Sequence, residues 1–192
     1  MTTLIAFPIQ DGTVLCADKR ITDGNSSRIL SDDVSKIIYA ETTGRKFAIA
    51  AAGSWGAICV VQSLLKEHAE SMPKPITIAE ATKFAMWLHQ LLLDNDLRPD
   101  THPENKDYTV GGLPCSFLIA TPLTAITITT GMDVFSSVRA AVGSGANYAL
   151  GAMEVINPPG SKPLDFAGTI FGAVAKYDLD TSPTFNYVAI QS

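Results

Sequence analysis

Thr2 is the residue of this chain best placed to do chemistry by itself. Methionine is usually trimmed when the next residue is small, and threonine is small enough. Loss of Met1 would leave one residue carrying both a hydroxyl and a free α-amine. Such an amine has an ordinary pKa of roughly 7.7–8.0, so near neutral pH part of it is uncharged and can take the hydroxyl proton. Without a partner of that kind a threonine hydroxyl is a weak nucleophile. The rest of the chain offers no rival machinery. His68, His89 and His102 have neither triad nor metal-ligand spacing, and no metal or other cofactor is expected. Gly143-Ser144-Gly145 lacks the intervening residues of a G-x-S-x-G nucleophile elbow.

The bulk properties set limits on the setting. A chain of 192 residues, 46% hydrophobic and 17% charged, suits one globular domain spanning 1–192, with Met1 removed. A net charge of −5 argues against nucleic acid as a partner. The three cysteines are too widely spaced for a disulfide framework. Cys16 and Cys59 lie in apolar surroundings that read as core, which suits a reducing, cytoplasmic compartment. No apolar run reaches the roughly 18 residues of a membrane span, and the start has no basic leader.

The elements that would position Thr2 can be read from periodicity and breakers. Residues 2–8 and 14–20 predict a β-hairpin closed at Gln10-Asp11-Gly12-Thr13. A polar loop with one short extended piece follows over 22–31, then a strand pair over 34–40 and 46–52. Ile58, Val61, Leu64 and Leu65 mark one face of a helix over 57–71. Thr77 with Glu80 forms a capping-box start for a second helix, to about Asn95. Residues 98–114 read as a long exposed loop. Strands are expected over 116–121, 123–130 and 135–138. Ala141 to Gly145 reads as a turn into a helix ending near Asn157, followed by a helix over 164–176 and a closing strand over 184–190. Strands and helix pairs in that order predict an α+β fold of two antiparallel sheets packed face to face, with helices on both outer sides.

Three stretches then come together: Thr2-Thr3 at the start, Asp18-Lys19-Arg20-Ile21-Thr22-Asp23-Gly24, and Val34-Ser35-Lys36-Ile37. In this order and at this spacing they resemble the N-termini of proteasome β-subunits and of HslV-type peptidases. Both are N-terminal-nucleophile hydrolases with threonine. The resemblance implies a four-layer αββα sandwich and a threonine-type endopeptidase. It also implies roles for single residues. Thr2 would be the nucleophile. Lys36 would sit near its hydroxyl, favouring the alkoxide and lowering the amine pKa by like-charge repulsion. Asp18 would hold Lys36, and Arg20 would support them. The Gly53 amide matches the oxyanion-hole position, where one donor can supply about 2.7–4 kcal/mol. Ser144 matches the serine that contacts the terminal amine. Asp178 and Thr181 match an Asp-x-x-Ser segment in which a threonine replaces the serine.

Plainer readings stand beside these. Lys36 alone could be a solvated strand-end lysine, Asp18 a structural partner of Arg20, and Ser144 a helix N-cap. Asp180 competes with Asp178 for its role.

The same alignment implies a substrate pocket lined by Ile21, Val34, Ile38, Ala51, Trp55 and Cys59, with Thr22 and Gly53 binding extended peptide by their backbone. The apolar lining implies cleavage after apolar residues, with Trp55 narrowing the pocket. The resemblance also implies protein or peptide substrates and homo-oligomeric stacked rings, either with or without an ATP-dependent unfoldase. The ring would be like that of HslV or of the small proteasome homologue of betaproteobacteria. Two other classes are compatible with parts of the pattern: an N-terminal-nucleophile amidohydrolase acting on small amides, and a non-catalytic ring subunit.

Overall fold

Continuous apolar runs near the start of the chain, buried on both faces, build the sheet that carries Thr2. In the computed structural model, which describes residues 2–23, 28–97, 112–156 and 162–192, β1 (Thr3–Ile9) and β2 (Gly12–Asp18) form a hairpin. The two-residue connection Gln10-Asp11 sets their register, with Leu4 opposite Ala17 and Ile9 opposite Gly12. A short ribbon of β3 (Ile21–Thr22) and β4 (Ile29–Ser31) follows. Next come β5 (Ile37–Glu41) and β6 (Phe47–Gly53), then the helices α1 (Trp55–Glu67) and α2 (Ile78–Asp94). Strands β7 (Cys115–Ala120), β8 (Ala125–Ile128), β9 (Val134–Ser137) and β10 (Ala140–Gly143) precede α3 (Ala146–Val155) and α4 (Pro163–Val174). Strand β11 (Phe185–Gln191) closes the chain.

Two antiparallel sheets result, ordered β10-β1-β2-β11 and β5-β6-β7-β8-β9. The two-residue period of a strand sorts side chains to opposite faces, and three apolar layers follow from it. Phe47, Ile49 and Ala51 of β6 face α1 and α2, whereas Ala48, Ala50 and Ala52 face the other sheet. In β1, Leu4 and Ala6 face between the sheets while Ile5 and Phe7 pack on α3 and α4. The expected αββα sandwich is therefore the one observed. Among the described residues, eight of the thirteen buried between the sheets are alanines, so small side chains fill most of that layer.

The helix starts follow the sequence signals. The Ser54 hydroxyl accepts the Ala57 N–H at 3.3 Å, and Thr77 and Glu80 form the reciprocal capping box. No described helix is long and apolar enough to cross a membrane.

Three readings need correction or restriction. Residues 140–143 form an edge strand on β1 rather than a turn, with Thr3 opposite Gly143. Cys59 is exposed, because it lies off the helical face formed by Ile58, Val61, Leu64 and Leu65. Most of the expected loop over 98–114, and the helix end near Asn157, lie outside the described residues.

Candidate active site

Pairing of β1 with β10 fixes the start of the chain. Thr2 is buried, and its carbonyl accepts the Ser144 N–H at 2.9 Å, with the Ser144 hydroxyl oxygen 3.4 Å away. Gly143 makes this approach possible. It has φ +105°, and a Cβ there would lie 1.9 Å from the Thr2 carbonyl oxygen. The Thr2 hydroxyl is buried and has no hydrogen-bond partner among the described residues.

Asp18 ends β2 in the same sheet, and Lys36 stands just ahead of β5 in the other. Both are almost wholly inaccessible, with Asp18 at 0% and Lys36 at 1% exposure. The Lys36 ammonium donates to both carboxylate oxygens, at 2.9 and 3.0 Å. The carboxylate also accepts the N–H groups of Thr3 at 2.7 Å and Arg20 at 3.0 Å. The pair thus ties the hairpin to the facing sheet and to the residue after Thr2. Burial pulls the Lys36 ammonium below the ordinary lysine range, against the opposing pull of Asp18. Burial likewise pushes the Asp18 carboxyl up, against the Lys36 charge and the two backbone donors.

A second polar group secures the other side of Thr2. Asp178, just beyond α4, accepts the Ser144 hydroxyl at 2.8 Å and the Thr181 hydroxyl at 2.7 Å. Thr181 and Thr3 hydroxyl oxygens lie 2.5 Å apart. Since Thr181 gives its proton to Asp178, Thr3 is the donor in that contact. The methyl group that threonine adds at 181 does not prevent this chain of hydrogen bonds. Ser144 is not the N-cap of α3; Gly145 is, and no side chain caps that helix. Of the two competing aspartates, Asp178 joins this network.

The Arg20 guanidinium bonds Asp32 through Nε at 2.8 Å and Nη2 at 3.2 Å. Its Nη1 donates to the carbonyls of Leu179 at 2.9 Å and Thr181 at 3.3 Å. It therefore braces the 178–181 turn rather than the Asp18–Lys36 pair alone.

These elements surround a cavity of about 400 Å³. Thr2, Lys36, Gly53 and Ser144 line it, as do the expected Ile21, Thr22 and Trp55. Asp18, Asp178 and Thr181 stand behind that lining. Four expected pocket residues lie elsewhere. Ala51 and Ile38 are buried in the layer between β-sheet and helices. Val34 is half-buried, and its carbonyl accepts the Asn186 amide at 3.0 Å. Cys59 is exposed and takes no part in the lining. Ala52, Ile58, Ser116 and Val142 supply lining in their place. Strand parity could have identified Ala52, because it shares the inter-sheet face with Ala48 and Ala50. Ser116 and Val142 come from strands far away in sequence, and no local pattern marks them.

No protein-family model matches the chain, and no curated protein matches its sequence. Solved structures do match its shape. Eukaryotic HslV from Trypanosoma brucei superimposes with a TM-score of 0.71 at 15% identity, covering 99% of each chain. Thiobacillus denitrificans BPH gives a TM-score of 0.75 at 21% identity, over 98% of this chain and 97% of that one. The same protein in complex with epoxomicin gives 0.75 at 20% identity, over 98% of both chains. The chain has the fold of HslV, as the N-terminal motifs implied. At these identities the likeness establishes the fold alone.

Proposed function

We propose that this chain, built on the fold of HslV and BPH, is a threonine-type endopeptidase acting through Thr2. The observation that carries the proposal is the Lys36–Asp18 pair, buried in the wall of the cavity that Thr2 also lines. Removing an ion pair from water is expensive. A buried lysine that lines the same cavity as an enclosed threonine hydroxyl makes chemical sense where that hydroxyl must lose a proton.

In this reading, loss of Met1 frees the Thr2 amine. The Thr2 hydroxyl oxygen attacks the peptide carbonyl and its proton passes to the amine. The Lys36 charge favours the developing alkoxide, and the Gly53 N–H takes the oxyanion. As the C–N bond breaks, the Thr2 ammonium returns the proton to the departing amine, leaving an ester on Thr2. Water, deprotonated by the same amine, then hydrolyses the ester and regenerates the hydroxyl. Ser144, Asp178 and Thr181 hold the backbone of residues 2 and 3 still throughout. Extended peptide would lie along Thr22 and Gly53. Ile21, Ile58 and the face of Trp55 suit an apolar residue of limited size before the cleaved bond. The chain, spanning 1–192 with Met1 removed, would serve as one peptidase domain.

An enclosed proteolytic chamber would protect the cell, so the proposal extends to stacked homo-oligomeric rings in the cytoplasm, acting on peptides or unfolded proteins. The BPH complex with epoxomicin supports the choice of probe for such a site. Hydrolysis of fluorogenic peptides bearing apolar residues tests the activity. Thr2→Ala should abolish cleavage without changing the circular dichroism spectrum. Undiminished cleavage by that variant would refute the mechanism.

A further inference from the structure

Asp180 is only 5% exposed, and its Oδ1 oxygen is enclosed without a hydrogen-bond partner among the described residues. The machinery proposed above does not use it. An enclosed carboxylate oxygen lacking a donor is costly, so its retention needs a reason.

The backbone that carries this carboxylate is fixed. Thr181 N–H donates to the Asp178 carbonyl at 3.1 Å, closing a tight four-residue turn, and Asp180 N–H donates to the Asp178 carboxylate at 3.2 Å. Arg20 holds the carbonyls on either side of Asp180. The turn is tied to the start of β1 through Thr3 and Thr181. Asp180 and Thr2 each lie one residue from that contact. The charge of Asp180 is felt by Lys36, which shares the cavity wall with Thr2, and by Arg20.

The neighbouring donors are directed elsewhere. Arg20 serves Asp32 and two carbonyls, Lys36 bonds both oxygens of Asp18, and the Ser144 and Thr181 hydroxyls serve Asp178. In this network four carboxylates (Asp18, Asp32, Asp178, Asp180) stand against two cations, Lys36 and Arg20.

We propose that Asp180 is the counter-charge of the Thr2 α-amine, whose ammonium, created when Met1 leaves, provides the donor and positive charge that Asp180 lacks. This rests on the N-terminal-threonine reading and adds a positioning residue to it. Asp180 and Asp178 favour the ammonium, while Lys36 and Arg20 oppose it, each weakened by its own carboxylate partner, Asp18 or Asp32. Two opposed fields then set the pH at which the amine becomes a base.

The test is to titrate that amine directly. The chain from Thr2 to Ser192 is released from a cleavable N-terminal fusion, and acylation of Thr2 by acetic anhydride is followed against pH by mass spectrometry. The titration needs no turnover, so it stands whether or not the protein cleaves peptides. Asp180→Asn should lower the amine's apparent pKa by about 1 unit, the low end for losing a nearby opposite charge. Asp180→Ser should do the same and serves if the first variant fails to fold. Lys36→Met should move it upward. An amine titrating at the same pH in the parent and the Asp180 variants would overturn the proposal. The expected shift in a protein without peptidase activity would uphold it and refute the peptidase reading instead.

Discussion

Thr181 shows how much depends on single atoms around Thr2. Its hydroxyl accepts from Thr3 and donates to Asp178. Thr181→Val keeps the shape but removes both bonds, leaving Thr3 without its acceptor. The expected cost is about 1–3 kcal/mol of stability in denaturant melts, with Thr181→Ser close to the parent. Lys36 makes a sharper prediction. Burial lowers its pKa from the ordinary 10.5, so the ammonium is lost as pH rises through a value below that. A mechanism needing a charged Lys36 therefore has an alkaline limb below pH 10.5 in its rate profile. Lys36→Arg, protonated throughout that range, should be slower because the guanidinium is larger, yet should lack the limb. An unchanged limb in that variant would assign it to another group. Buried thiols do not compete for it: burial pushes Cys115 up to about 12 and Cys16 higher still.

At the scale of elements, β10 is the piece that aligns Thr2, and it is the piece least visible in the sequence. Ala140–Gly143 is short and made of small residues, and its strand character comes from pairing with β1 at the opposite end of the chain. The hairpin, both outer helix pairs and the order of strands were legible because each carries its own periodicity, turn or cap. Asp18 and Lys36 were legible only through their motifs, since neither spacing nor residue type alone brings them into contact. Ala51 and Cys59 were misplaced for a common reason: a position one residue off along a strand or helix faces another way. Gly143→Ala tests the role of β10. Its Cβ would collide with the Thr2 carbonyl, so cleavage should drop at least tenfold while the helical signal persists. Full activity in that variant would show that the β10 approach is not needed. Thr77→Ala, far from the cavity, should cost about 0.5–2 kcal/mol through the lost cap and leave turnover unchanged.

For the whole molecule, a close alanine layer between two sheets gives Thr2 and Lys36 a stiff frame, because each comes from a different sheet. Ala50→Leu should wedge that layer apart and destabilise the fold by about 1–3 kcal/mol, read as a lowered melting midpoint. The ring proposal belongs to this scale too. Light scattering of the native protein should give a mass many times 20.4 kDa, whereas a monomer would remove the chamber from the account.

The most direct test joins the parts at one atom pair. A peptide epoxyketone reacts with a hydroxyl and an amine on the same residue, so it reports the freed Thr2 and its activation together. Intact-mass spectrometry after incubation should show a chain lacking Met1 and carrying one inhibitor, with the added mass on the peptide that begins at Thr2. A chain that retains Met1, or a freed Thr2 that stays unmodified while the protein is folded, would contradict the account.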